Sequence, residues 1–191
     1  MTQIILASNS PRRRELLTQL GVTYHVCRID IDETPLKNES PLVYVQRVAA
    51  EKSAACVKLD NPILPVLAAD TAVILNKKIM GKPENQAHAA EMLTQLSGTT
   101  HQVCSAISFR GTEHWQRLVI TEVKFRSLQP SEMRNYWKTG EPCDKAGGYA
   151  IQGLGSIFIE SIKGSFSAVM GLPLFETAEL LSKQGIKIIH E

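Results

Sequence analysis

Apolar and polar positions along the chain follow two rhythms. Short apolar runs of strand length alternate with stretches whose apolar residues recur at helical spacing. Ile4 to Ala7 predicts a short strand, followed by a helix from Pro11 to Leu20 that stops at Gly21. Tyr24 to Asp30 reads as extended. Ser40-Pro41 supplies an N-cap and a first-turn proline for a second helix running to about Val57. Val66 to Leu75 is a continuous apolar strand interrupted once, by Asp70. A helix from about Asn85 to Leu96 ends at Ser97-Gly98, and Val103 to Phe109 with Leu118 to Phe125 predicts a β-hairpin turning near Gly111. Pro130 to Lys138 is helical and ends at Gly140. The glycine-rich stretch Gly147 to Gly155 precedes a strand from Ile157 to Ile162, a last helix covers Leu174 to Lys183, and Ile186 to Ile189 closes as a strand. Interleaved strands and helices predict an α/β fold, and the hairpin makes its sheet mixed rather than purely parallel.

No repeat, low-complexity segment or linker divides the 191 residues, so one domain, or one domain with two lobes, is expected over 1–191. Hydrophobic residues at 43% and charged residues at 21% suit a globular chain rather than a disordered one. A formal net charge of only +2 argues against the broad basic face that duplex nucleic acid requires. An aromatic content of 6% argues against the stacking platforms of single-strand binders. Any anion site must therefore be local. The cysteines Cys27, Cys56, Cys104 and Cys143 form no C-x-x-C pair and read as buried thiols in a reducing compartment. The apolar start is too short for a signal peptide, and no apolar run reaches membrane-spanning length. The expectation is a cytoplasmic protein without membrane or stable nucleic-acid partners.

Five features carry chemistry. In Ser8-Asn9-Ser10-Pro11-Arg12-Arg13-Arg14, Ser10 caps a helix that Pro11 begins, so three arginines fall in its positive first turn. Either they are solvated and the helix tolerates them, or an anion such as a polyphosphate sits there. The position after a strand in an α/β sheet favours the second reading. On that reading, removal of Arg13 should leave the stability of the ligand-free protein unchanged or slightly raised. Lys52 lies on the apolar stripe of the second helix with Leu42, Val45, Val48, Ala49 and Cys56, where it must snorkel out or reach an internal anion. Asp70, inside a buried strand, needs a partner or a metal, or else bonds to backbone N–H groups. Asp30, Asp32 and Glu33 offer hard oxygen ligands of the kind that suit Mg²⁺ or Mn²⁺ held with substrate phosphates; which of them faces inward is open, as is a simple acidic loop. Gly81-Lys82-Pro83 adds a lysine in a short rigid loop, and no P-loop motif exists. None of the five histidines stands in a nucleophile or metal motif.

Taken in order, Leu6 to Arg13, Lys52, Ala69-Asp70-Thr71, Gly81-Lys82-Pro83 and Ala146 to Gly153 closely resemble the Maf family of nucleotide pyrophosphatases, over almost the whole chain up to Gly171-Leu172-Pro173. The resemblance implies an elongated mixed sheet flanked by helices, two lobes with a central cleft, and a fold related to the inosine-triphosphate pyrophosphatases. It implies hydrolysis between the α- and β-phosphates of a nucleoside triphosphate, dependent on a divalent metal cation, in a cytoplasmic protein that is commonly a homodimer. Carried over by position, Ser8, Arg12, Arg13, Lys52 and Lys82 hold the triphosphate. Glu33 and Asp70 serve the metal, and Asp70 accepts a proton from the attacking water. Arg12, Thr71 and Gln152 resemble the branch acting on dTTP and UTP rather than the sister branch acting on 7-methyl-GTP. The carboxamide of Gln152 can answer both the acceptor and the donor of a uracil or thymine imide edge, or can instead satisfy backbone groups in a glycine-rich turn. Lys145 and Glu160 are candidate extra contacts. A nucleotide-binding regulator of cell division without turnover, or a nucleic-acid module using Arg12 to Arg14, is the rival reading.

Overall fold

In β1 (Ile4–Ala7) every side chain is buried, as expected of a strand flanked on both edges and covered on both faces. β1 pairs in parallel with β2 (Tyr24–Cys27) and with β3 (Val66–Leu75), so it lies between them in the sheet. Parallel neighbours need crossover connections. These are α1 (Pro11–Gln19) from β1 to β2 and α2 (Pro41–Asp60) from β2 to β3. A computed structural model, which describes residues 3–60 and 62–188, gives the strand order β2-β1-β3-β5-β6-β7, with β4 (Lys78–Met80) attached to β3. β5 is Thr100–Arg110, β6 is His114–Phe125 and β7 is Ile159–Lys163. β3 and β4 are antiparallel around Asn76 and Lys77, both at positive φ, the geometry of a two-residue hairpin whose turn matches the strand twist. β6 and β7 are also antiparallel. The expected mixed α/β sheet flanked by helices is the one observed. The remaining helices are α3 (Gln86–Leu96), α4 (Pro130–Lys138), α5 (Phe166–Met170) and α6 (Leu174–Lys183).

Several boundaries differ from expectation. β2 ends at Cys27 rather than Asp30, because the Ile29 carbonyl accepts a bond from the Asn9 side chain at 3.1 Å instead of joining a ladder. β5 and β6 are longer than predicted, and β7 starts only after a 3₁₀ turn over Leu154–Phe158. The strand expected over Ile186 to Ile189 is absent at 186–188. There Gly185 turns at positive φ and Ile186 N–H donates back to the Leu181 carbonyl, closing α6 (Ile189 lies outside the described residues). Cys143 is exposed, against the buried-thiol reading that Cys27, Cys56 and Cys104 follow.

The chain divides into two compact units. The first comprises Met1–Asp70, Ser105–Val119 and Gly171–Glu191, the second Thr71–Cys104 and Ile120–Met170. The first contains a core of Ile5, Ala7, Cys27, Ile29, Cys56, Val66 and Ala68. The second is centred on Leu93, Leu96, Phe125, Tyr136, Tyr149 and Phe158, with edge-to-face ring pairs among the aromatics. Among the described residues, no helix is long and apolar enough to cross a membrane.

Candidate active site

The first crossover carries the chain from β1 to β2 on one side, and the second carries it from β2 back to β3 on the other side of β1. The strand order thus reverses at β1 and β3 and leaves a switch point at their carboxyl ends, where α/β sheets bind ligands. Ala7, the last residue of β1, is level with Ala68, which puts Ser8 and Asp70 just past the paired region. Ser10 is the N-cap of α1 and Pro11 its first residue, as expected, but the Ser10 hydroxyl makes no capping bond. The Ser10 N–H instead donates to Ser8 Oγ at 3.2 Å. The first turn of α1 contains no acidic residue.

The three arginines of that turn are not equivalent. Arg14 is exposed, Arg12 half-buried and Arg13 buried. Arg13 Nε donates to the Gly171 carbonyl at 2.9 Å and Nη1 to Ser8 Oγ at 3.3 Å. Burial lowers the pKa of its guanidinium, and the field of Asp70 opposes that shift. Arg13 is thus bonded within the ligand-free fold, which argues against the expectation that its loss leaves stability untouched.

Lys52 is buried on α2, and its ammonium lies 2.8 Å from Asp70 Oδ1 and 2.8 Å from Glu33 Oε1. It does not snorkel out; the internal anion that it reaches is a carboxylate of the protein. The Asp70 side chain is 8% exposed and that of Glu33 50%. Among the three acidic candidates only Glu33 pairs with Lys52. Asp32 accepts the Thr34 N–H in a local turn, and Asp30 is exposed. Burial raises the pKa of the Asp70 carboxyl, Lys52 and Arg13 pull it down, and Glu33 adds to the rise. The net upward shift makes Asp70 a stronger base than an ordinary aspartate. Tyr44 on α2 feels the same charges: burial, then Asp70 and Glu33, push its hydroxyl up to about 12. Nothing in the sequence marked Tyr44.

A concavity of about 580 Å³ adjoins this cluster, lined by Ser8, Asn9, Arg14, Val26, Arg28, Ile29 and Asp30. Its volume suits a small molecule. Arg28, a second exposed cation there, carried no sequence signal.

Thr71, Lys82 and Gln152 belong to the second unit. Lys82 is exposed between Gly81, whose carbonyl accepts the Gly147 N–H at 3.0 Å, and the buried Pro83. Thr71 is half-buried, and Gln152 is exposed in a turn closed by Gly153 N–H to the Ala150 carbonyl at 3.3 Å. The structure therefore gathers Ser8, Arg13, Glu33, Lys52 and Asp70 in the first unit, with Arg12 on the same turn. Lys145 and Glu160 already have ion-pair partners, Asp144 and Lys124. No group of three or more His, Cys, Asp or Glu side chains converges to hold a metal among the described residues. Glu33 and Asp70 form a pair of carboxylates around one cation, a donor set that fits Mg²⁺ or Mn²⁺ when phosphates and water supply the other ligands.

A family model described as Maf-like protein matches residues 3–184. The chain belongs to the Maf family. Within it, the chain is 51% identical over 185 residues to a dTTP/UTP pyrophosphatase of Methylococcus capsulatus, covering 96% of this chain and 92% of the relative. It is likewise 51% identical over 183 residues to a dTTP/UTP pyrophosphatase of Escherichia coli, covering 95% and 93%. The Maf fold seen here is similar to that of a HAM1 protein from Coxiella burnetii, with a TM-score of 0.55 at 16% identity, covering 96% of this chain and 100% of that one. At that identity the likeness is one of fold.

Proposed function

We propose that the protein hydrolyses dTTP and UTP to the monophosphate and pyrophosphate. The observation that carries this reading is the buried Asp70, with raised basicity, paired with Lys52 at 2.8 Å and lying in the field of Arg13 at the sheet's switch point. The names of relatives about half identical to this chain support the substrate class.

In this reaction a water oxygen attacks the α-phosphorus. The bond to the bridging oxygen breaks, and its electron pair leaves on pyrophosphate. Asp70 takes the proton of the attacking water. Ser8, Arg12, Arg13, Lys52 and Lys82 bind the phosphates, and the cations offset the negative charge that grows on the leaving group. Lys52 also keeps Asp70 ionised, since its ammonium opposes the effect of burial. Glu33 and Asp70 hold a divalent cation, Mg²⁺ or Mn²⁺, which when bound neutralises phosphate charge as a Lewis acid. Arg12, Thr71 and Gln152 select the base. The same reading implies a cytoplasmic homodimer, with a reducing compartment suiting its four free cysteines. Sedimentation at micromolar concentration checks the dimer.

The test is pyrophosphate release from a panel of dTTP, UTP, CTP, GTP and 7-methyl-GTP, with and without Mg²⁺ or Mn²⁺. Preference for dTTP and UTP is expected. Preference for 7-methyl-GTP moves the protein to the sister activity. Tight nucleotide binding without pyrophosphate release makes it a regulator.

A further inference from the structure

Between Tyr149 and Ile159 the chain forms neither strand nor α-helix, yet its backbone is held at both ends. The Ala150 N–H donates to the Tyr136 hydroxyl at 3.1 Å. The Leu154 and Gly155 N–H groups donate to the two oxygens of Glu141 at 2.9 Å each. Tyr136 in turn donates its own proton to Glu141 Oε1 at 2.6 Å. A phenol has one proton to give and lone pairs to accept with, so Tyr136 can serve Glu141 and Ala150 at once. Residues 151–153 are left as a turn, with Gln152 exposed upon it.

The glycines of Gly153-Leu154-Gly155 fit the same arrangement. Neither adopts a positive φ, so backbone freedom does not explain them. Close approach does. A Cβ on Gly153 would run into the Glu141 carboxylate, and one on Gly155 would lie 2.7 Å from the Tyr136 hydroxyl and 2.8 Å from the Ala150 carbonyl oxygen. Burial disfavours the ionised Glu141, but the bonds from Tyr136, Gly155 and Leu154 outweigh it, and the carboxyl titrates below an ordinary glutamate. It is therefore an ionised acceptor throughout the neutral range. Tyr136 itself is 4% exposed and anchored in the second unit's core by an edge-to-face contact with Phe158.

We propose that Tyr136 and Glu141 are positioning residues for base selection, clamping the turn that presents Gln152; this rests on the reading of Gln152 as the group that meets the pyrimidine. A carboxamide that swings freely can meet an imide edge or, turned over, the amino edge of cytosine. Discrimination requires that the carboxamide start from one fixed place beside the backbone groups of its turn, so that turning it over costs a hydrogen bond and the wrong base leaves polar groups unpaired. The clamp supplies that constraint without touching the nucleotide.

The experiment compares kcat and KM for UTP and CTP in wild type, Tyr136→Phe, Glu141→Gln, Gln152→Ala and Glu141→Gln/Gln152→Ala, each checked by thermal melting. Tyr136→Phe and Glu141→Gln should each lower the UTP-to-CTP ratio of kcat/KM about tenfold, mostly through a higher KM for UTP. Gln152→Ala should lower it as well, and adding Glu141→Gln should lower it no further. If both clamp variants lower kcat/KM for the two substrates by one common factor, the residues are merely structural and the proposal is overturned. Should Glu141→Gln fail to fold, Tyr136→Phe carries the same comparison without losing a charge. A Gln152→Ala variant that loses selectivity while Tyr136→Phe retains it sinks the clamp alone. One that keeps selectivity sinks the reading of Gln152 and the clamp with it, while pyrophosphate release by wild type still tests the proposed reaction separately.

Discussion

Asp70 and Lys52 each break an apolar pattern, one in a strand and one on a helix stripe, and an unpartnered charge there is too costly to keep. Their pairing at 2.8 Å explains both breaks at once. Asp70→Asn keeps the shape but removes the base, so pyrophosphate release should fall by about 10²–10⁴-fold. At neutral pH the folded variant should be no less stable than wild type, because the raised pKa of Asp70 means that its ionisation works against folding. Near-normal turnover would remove Asp70 from the mechanism. Arg13 shows what single residues could not reveal. Nothing local separates it from Arg12 and Arg14, because its carbonyl partner Gly171 lies 158 positions away. Arg13→Ala strands that carbonyl and removes a cation facing Asp70, so the ligand-free protein should lose about 1–3 kcal/mol, against the sequence expectation of no loss. Arg13→Lys should recover little, since an ammonium cannot reproduce the two directions of the guanidinium fork. Denaturant unfolding without nucleotide measures both. An unchanged midpoint in Arg13→Ala would return Arg13 to the role of a cation held only for the ligand.

Elements with a long, regular pattern were legible almost to the residue. β3, α4 and α6 have the predicted bounds, and Asn85 caps α3 through its bond from the His88 N–H. The failures are short or decided at a distance. β4 has three residues and α5 five, too few to show a period. The strand expected over Ile186 to Ile189 had an apolar pattern but followed Gly185, which turns the chain back onto α6. The glycine-rich stretch shows no period, since it overlaps two short 3₁₀ turns, the first bonded to the Gly81 carbonyl and the second to the Glu141 carboxylate. Gly147 shows why its glycines matter. It stands at φ 69°, and a Cβ there would lie 3.0 Å from Val73 Cγ1 and 3.2 Å from Val73 Cβ, inside β3. Gly147→Ala adds left-handed backbone strain to a steric clash, each worth about 1–2 kcal/mol or more. A loss of at least about 2 kcal/mol in denaturant unfolding is therefore expected. Gly140→Ala, also at positive φ but with open space around it, should cost only the backbone part, about 1 kcal/mol. Equal losses in the two variants would mean that Val73 yields without cost.

For the whole molecule, the α/β class and mixed sheet followed from interleaved patterns, and the ordered set of motifs identified the family. The strand order could not be read, because patterns place residues on faces and not strands beside one another. Nor could the buried histidine be read from spacing. His101 is the second residue of β5, in the second unit, 2% exposed, with Nε2 2.7 Å from the Tyr149 hydroxyl and no partner for Nδ1 among the described residues. Burial pushes its pKa from 6.5 down to about 4. Between those values the unfolded chain binds a proton that the folded chain refuses. Stability is thus fully present above pH 6.5 and is lost as pH falls towards 4. At about 1.4 kcal/mol per unit the loss is about 3 kcal/mol. Asp70 acts in the opposite sense: its raised pKa makes folding more favourable as the carboxyl protonates. Glu132, held down to about 2 first by its bond from Arg126, loses its contribution in a lower window, from 4.5 towards 2, and does not mask the histidine. Urea midpoints between pH 4 and 7.5 should therefore fall with acid in wild type, fall less in His101→Gln, and fall more steeply in Asp70→Asn, which lacks the opposing group. A slope in His101→Gln as steep as that of wild type would show that acid acts on this fold through some other group.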